Sequence, residues 1–91
     1  MRDSGHMTKW TVELNFDEDE DYTQALATLR APGGRELRGL GQSRRSPDDK
    51  PVAHIGEEVA SARALSSLAH ELLDYAASEI EMNVRRGDPV V

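Results

Sequence analysis

The sequence predicts an α+β domain in which three strands joined by short turns precede one long helix. Three observations carry this. Residues 9–16, 22–30 and 35–44 alternate apolar and polar side chains with a period of two. Glycine, proline and acidic runs separate those segments. From Ile55 onward the apolar residues recur with a mean step of about 3.6, the helical period.

The first strand places Trp10, Val12, Leu14 and Phe16 on one face and Thr11, Glu13 and Asn15 on the other. One strongly apolar face predicts a half-buried strand, with Trp10 and Phe16 in the core rather than on a base-stacking surface. The run "DEDED", residues 17–21, ends it, since adjacent carboxylates repel one another and require solvent. It lacks the central Gly and the closing Glu of a calcium loop. In the second strand Ala25, Ala27 and Leu29 alternate with Gln24, Leu26, Thr28 and Arg30. "APGG" then supplies a fixed φ at Pro32 and access to positive φ at the glycines, which is hairpin chemistry. The third strand sets Leu37, Gly39, Gly41 and Ser43 on one face, with Arg38, Leu40, Gln42 and Arg44 on the other. Two glycines on one strand face predict the close approach of another element, here the helix through Ala62 and Ala69. The Gly-x-Gly pair has no phosphate-loop extension.

The segment "RRSPDDKPVAHIGEE", residues 44–58, reads as a sheet-to-helix crossover. Pro47 and Pro51 favour extended backbone, and Glu57 and Glu58 suit the first turn of a helix. The predicted helical stripe is Ile55, Val59, Ala62, Leu65, Ala69, Leu72, Ala76 and Ile80, widened by Leu68, Leu73 and Val84. Arg85 and Arg86 suit its C-terminal end, before Gly87 and Pro89 stop it. The domain therefore spans residues 9–86, with residues 1–8 as a disordered N-terminal segment and 87–91 as a flexible tail.

Composition removes several function classes. Ninety-one residues make one small domain, and a core of Leu, Ala, Val and Ile with only 4% aromatic residues is helped by pairing with a second copy. The absence of cysteine removes disulfides, thiolate metal sites and Cys nucleophiles. No apolar run reaches the roughly 20 residues that span a bilayer, and no signal peptide opens the chain, so a cytoplasmic protein without a membrane partner is expected. The net charge of −6 argues against broad nucleic-acid binding. It is uneven, however: −5 over residues 1–29, +3 over 30–50 and −4 over 51–91.

No catalytic set emerges. "HELLD", residues 70–74, has Asp74 where a zinc protease helix needs a second His. Ser66, His70 and Asp74 share a helix face, but a mid-helix nucleophile lacks free N–H groups to hold an oxyanion. His54 has no identifiable partner. The expectation is no enzyme, no cofactor and no metal. The candidate contact surface is the outward strip of strands two and three, formed by Arg30, Arg38, Leu40, Gln42, Arg44 and Arg45.

The run "ELRGLGQSRRSPDDKPVAHIGEEVASARALSSLAHELL", residues 36–73, together with "WTVEL" and "TQALATL", resembles a family of small, mostly uncharacterised actinobacterial proteins. The resemblance covers roughly residues 9–82. It implies a fold similar to the double-stranded-RNA-binding domain: a three-stranded antiparallel sheet followed by one long C-terminal helix packed on one face. It also implies kinship with ribosome hibernation-promoting factors and a link to stress and dormancy. Two functions follow as expectations. One is a homodimeric interaction module with a protein partner. The other is a stress-associated regulator that contacts ribosome or RNA through the arginine strip.

Overall fold

A computed structural model describes residues 7–45 and 53–85. Strands β1 (Thr11–Glu18), β2 (Tyr22–Arg30) and β3 (Glu36–Arg44) form an antiparallel sheet in the order β1-β2-β3, and helix α1 (Ala53–Arg85) follows. The α+β architecture read from the sequence is the one observed. Residues 1–6 of the expected N-terminal segment 1–8, the expected tail 87–91, and the crossover prolines Pro47 and Pro51 lie outside the described residues.

Strand β1 runs two residues further than "DEDED" suggested, because Asp17 and Glu18 still pair with Gln24 and Thr23. The turn is confined to residues 19–21, closed by Asp19 N–H donating to the Tyr22 carbonyl at 2.9 Å. At the second turn a short 3₁₀ segment, Pro32–Gly34, carries φ of 84° at Gly33 and 78° at Gly34. Residues with a Cβ rarely adopt that conformation, which explains the paired glycines.

The inward faces of β2 and β3 are those the alternation assigned. Ala25, Ala27 and Leu29 are buried, and in register beside them lie Gly41, Gly39 and Leu37. Helix α1 rests on this surface through Ala60, Ala64 and Leu68, with Leu14, Leu37 and Leu72 packed around the cluster. The close approach expected of Gly39 and Gly41 is present. A Cβ on Gly41 would run into the backbone of Ala64 and Ala60, and one on Gly39 into that of Leu68 and Ala64. The steps match: two strand residues advance about 6.8 Å and four helical residues about 6 Å. The two glycines therefore fit the Ala60–Ala64–Leu68 ladder, with β3 and α1 running in opposite directions.

The helix is rotated relative to the predicted stripe. Ala62 and Ala69, expected against the glycines, are exposed, as are Ile55, Leu65, Ala76 and Ile80. The periodicity of large apolar residues marked one stripe, while glycine on the sheet selects the face bearing the smallest residues. Glu57 and Glu58 also fall outside the first turn, because the helix begins at Ala53.

A helix about 10 Å wide covers two strands spaced about 4.8 Å apart, not three. Here it covers β2 and β3, leaving β1 beside it. Trp10, Val12 and Phe16, expected in the core, keep 44%, 47% and 40% of their surface exposed. The helix also outruns the sheet. Thirty-three residues extend about 50 Å, against about 30 Å for a nine-residue strand. Gly56 lies over Thr23 at one end of the sheet, and Leu72 and Tyr75 meet Trp10, Leu29 and Leu37 at the other. Residues 76–85 project past it.

Candidate interaction surface

The outward sheet face carries every strip residue named from the sequence except Arg45, which follows β3. It also carries acids that segment charges concealed. Pairing β1 with β2 sets Glu13 beside Thr28, and pairing β2 with β3 sets Arg30 beside Glu36. Arg30 Nη1 donates to Glu13 Oε1 at 2.9 Å, and its Nε lies 3.2 Å from Glu36 Oε2. Arg38 Nη2 reaches the other Glu36 oxygen at 2.9 Å. Thr28, flanked by Glu13 and Arg38, is buried beneath these side chains. Hydrogen bonds from Asn15 and then Arg30 hold the Glu13 carboxyl below its ordinary range, and the Glu13 bond raises Arg30 further above its own.

The remaining arginines are engaged as well. Arg45 Nη2 contacts Asp21 Oδ1 at 2.6 Å and its Nε donates to the Glu20 carbonyl at 3.3 Å, tying β3 to the first turn. The Arg44 guanidinium lies 5.8 Å from the Tyr22 ring centre. Leu40 is half exposed. Gln42 and Arg44 border an open hollow of about 600 Å³ whose other walls are Asp19, Glu20, Asp21 and Tyr22. The strip is brought together as expected, but as a neutralised ion-pair lattice rather than a basic face.

Two residues that sequence reasoning passed over define one edge of the sheet. Arg63 Nη1 donates to the Gln42 carbonyl at 2.7 Å, and Ser67 Oγ donates to the Leu40 carbonyl at 2.9 Å. They lie four apart on α1, one helical turn, matching alternate carbonyls along β3. An i, i+4 pair of donors on the flank of the small-residue face was the available signal.

The opposite flank of the helix faces β1. The Glu18 and Glu57 carboxyls meet there, and hydrogen bonding to Glu57 raises the Glu18 carboxyl above its ordinary range. With Glu57 toward β1 and Arg63 and Ser67 toward β3, the helical period places Leu65, Ala69, Leu72 and Ala76 on the β1 side. On β1 the residues on the same side of the sheet as the helix are Val12, Leu14 and Phe16, and of these Leu14 packs against the core. Ile80 and Val84 lie on the projecting part of the helix, 49% and 61% exposed.

Ser66, His70 and Asp74 are exposed on the helix, and His54 is exposed near its start. Among the described residues no three His, Asp or Glu side chains converge as a metal site, and no helix is long and apolar enough to cross a membrane.

Among the described residues, one helix on a three-stranded antiparallel sheet, with an ion-paired outer face and an apolar flank, defines a small α+β protein. Residues 8–88 match the Rv2632c-like family, and the chain belongs to it. It is 40% identical over 87 residues to the uncharacterized protein Rv2632c of Mycobacterium tuberculosis, covering 94% of this chain and 92% of that one. It is 43% identical over 72 residues to the uncharacterized protein Mb1767 of Mycobacterium bovis, covering 79% and 76%. The crystal structure of Rv2632c superposes with a TM-score of 0.75 at 41% identity, covering 88% of this chain and 95% of that one. The family expected from the sequence is thus a mycobacterial family of uncharacterised proteins.

Proposed function

We propose that this protein is a non-enzymatic homodimeric interaction module of the cytoplasm. The observation that carries this reading is the uncovered apolar flank, where β1 and the outer side of α1 leave Val12, Phe16, Leu65 and Ile80 between 40% and 49% exposed. Exposed apolar side chains scattered singly are ordinary, but a contiguous ridge along one flank marks an interaction surface. A second copy supplies the same ridge and satisfies both at once, as a two-fold interface does. Sedimentation velocity at increasing concentration tests the reading: a shift to the two-chain mass supports it, and a monomer at high micromolar concentration removes it.

The other function suggested by the family resemblance, a stress-associated regulator that binds ribosome or RNA, draws on Arg38 and Arg44 on an exposed, flat sheet face. It receives less support. Phosphate contact needs cations available for counterion release, and Arg30, Arg38 and Arg45 already bond carboxylates.

A further inference from the structure

We infer that two copies of this chain join through the free edges of β1, which pair antiparallel about Leu14 to make one six-stranded sheet. This rests on the homodimer reading and specifies its contact. The two edges of the sheet differ. Asp19 N–H bonds the Tyr22 carbonyl, and Arg45 N–H bonds the Asp21 carbonyl, which fixes the alternation of both ladders. On β3 the even-numbered residues therefore point their N–H and C=O groups outward, and α1 occupies the carbonyls of Leu40 and Gln42 through Ser67 and Arg63. On β1 the even-numbered residues Val12, Leu14 and Phe16 also point those groups outward, and among the described residues no side chain caps them. Pro and Lys, two of the guards of an exposed edge, are absent from β1, and its charges are the acids Glu13, Asp17 and Glu18, which restrict the register rather than block the backbone. The protein closes one edge and leaves the other ready for a strand.

Charge selects the register. A two-fold axis perpendicular to the sheet keeps both helices on one side and passes midway between one residue of β1 and its own copy. Centred on Val12 or Phe16, it pairs only residues 11–13 or 14–18 of the strand, against 11–17 about Leu14. Centred on Glu13, the axis sets Glu13 opposite its own copy. Centred on Asn15, it sets Glu13 opposite Asp17. Like charges directly opposed destabilise a strand pair. Centred on Leu14, the outward face matches Glu13 with Asn15 and Thr11 with Asp17, with no like charges opposed. Glu13 and Asn15 already hydrogen bond within one chain at 3.1 Å, so their chemistry is complementary. The inward face then matches Val12 with Phe16 and Leu14 with Leu14, extending the apolar layer across the axis. Because even-numbered residues carry the outward backbone groups, these inward pairs are the ones that exchange backbone hydrogen bonds. Leu65, Ala69 and Leu72 of the two helices then flank one shared apolar floor.

Disulfide trapping tests the contact without background, since the chain has no cysteine. Glu13→Cys and Asn15→Cys are prepared separately, checked for native circular dichroism, and oxidised mildly, alone and mixed. Glu13 facing Asn15 of the partner forms a non-hydrogen-bonded pair, with Cα atoms about 4.5 Å apart, inside disulfide range. Each residue and its own copy stand two positions out of register, beyond the ~7 Å limit. The expected result is a covalent dimer from the mixture and none from either variant alone. A dimer from Glu13→Cys or Asn15→Cys alone overturns the Leu14 register. A dimer by sedimentation that none of the three samples traps overturns edge pairing while leaving the homodimer reading intact, and a monomer overturns both. Val12→Pro gives a second readout. The Val12 N–H points away from β2, so the fold persists while the dimer dissociates; a dimer that survives Val12→Pro contradicts the inference.

Discussion

Replacing Gly41 by alanine should destabilise the fold far more than a methyl group ordinarily does. A Cβ at that position would stand 2.7 Å from the Arg63 carbonyl carbon and nearer still to the Ala64 nitrogen and Ala60 oxygen. Carbon atoms reach their optimum contact at about 3.5–4.0 Å, so the helix must withdraw by about 1 Å. All three obstructing atoms are backbone and cannot rotate aside. Lifting α1 also loosens Ala60, Ala64 and Leu68 from Ala25, Ala27 and Leu29, which together form the buried core. Overpacking of this kind costs about 1–3 kcal/mol, and rigid obstruction argues for the upper half of that range. For a domain of this size each kcal/mol lowers Tm by roughly 4–8 °C, so a fall of about 10–20 °C is expected. Gly56→Ala is the internal control. Its Cβ would meet only the Thr23 side chain, at 2.9 Å from Oγ1, which can turn away. Gain in helix propensity, about 1 kcal/mol, offsets the adjustment there. Thermal melts at one protein concentration decide the matter. If Gly41→Ala melts with the parent, the helix does not rest on β3 as described.

Other consequences follow from individual contacts. Removing both Arg63 and Ser67 side chains should lower stability by about 1–3 kcal/mol, since each bond contributes roughly 0.5–1.5 kcal/mol. It should also open the β3 edge, seen as concentration-dependent light scattering absent from the parent. Glu57→Gln should raise Tm at pH 7. The Glu18 carboxyl is held above its ordinary range chiefly by its hydrogen bond to Glu57 and last by the Glu57 charge, and the amide leaves no second carboxylate beside it once both would be ionised. A carboxyl raised in the folded state weakens the fold as pH rises through its folded pKa, so the gain should vanish in melts taken at acidic pH, below the ordinary carboxylate range. Replacing Arg38, Arg44 and Arg45 by alanine should leave cosedimentation with ribosomes unchanged from a negligible parent value. Strong parental binding lost in the variant would favour the RNA reading instead.

The strands and their faces were legible because alternation of Ala25, Ala27 and Leu29 against Gln24, Thr28 and Arg30 outweighs the one apolar residue, Leu26, on the polar face. The glycine contact was legible as well, since two glycines on a strand face have few other uses. The rotation of α1 was not. Large residues dominate any reading of periodicity, yet Gly39 and Gly41 make room only for a backbone brought close by Ala60 and Ala64. Helical rows of Ala60–Ala64–Leu68 and Arg63–Ser67 hold that information, but only once the glycine spacing is laid against them. The arginine strip was found residue by residue, while its electrostatics were not. Arg30 meets Glu13 across seventeen residues, and segment charges carry no register. The exposure of Val12 and Phe16 likewise depends on where a single helix comes to rest over three strands.

Sedimentation equilibrium of the parent chain beside Leu65→Lys and Ile80→Lys tests the central claim most directly. Both positions are exposed in the single chain, so the charges leave folding intact and bear on the ridge alone. The parent should sediment at twice 10.1 kDa and the variants at 10.1 kDa. A parent at the single-chain mass throughout, or variants that remain paired, would contradict a dimer formed along this flank.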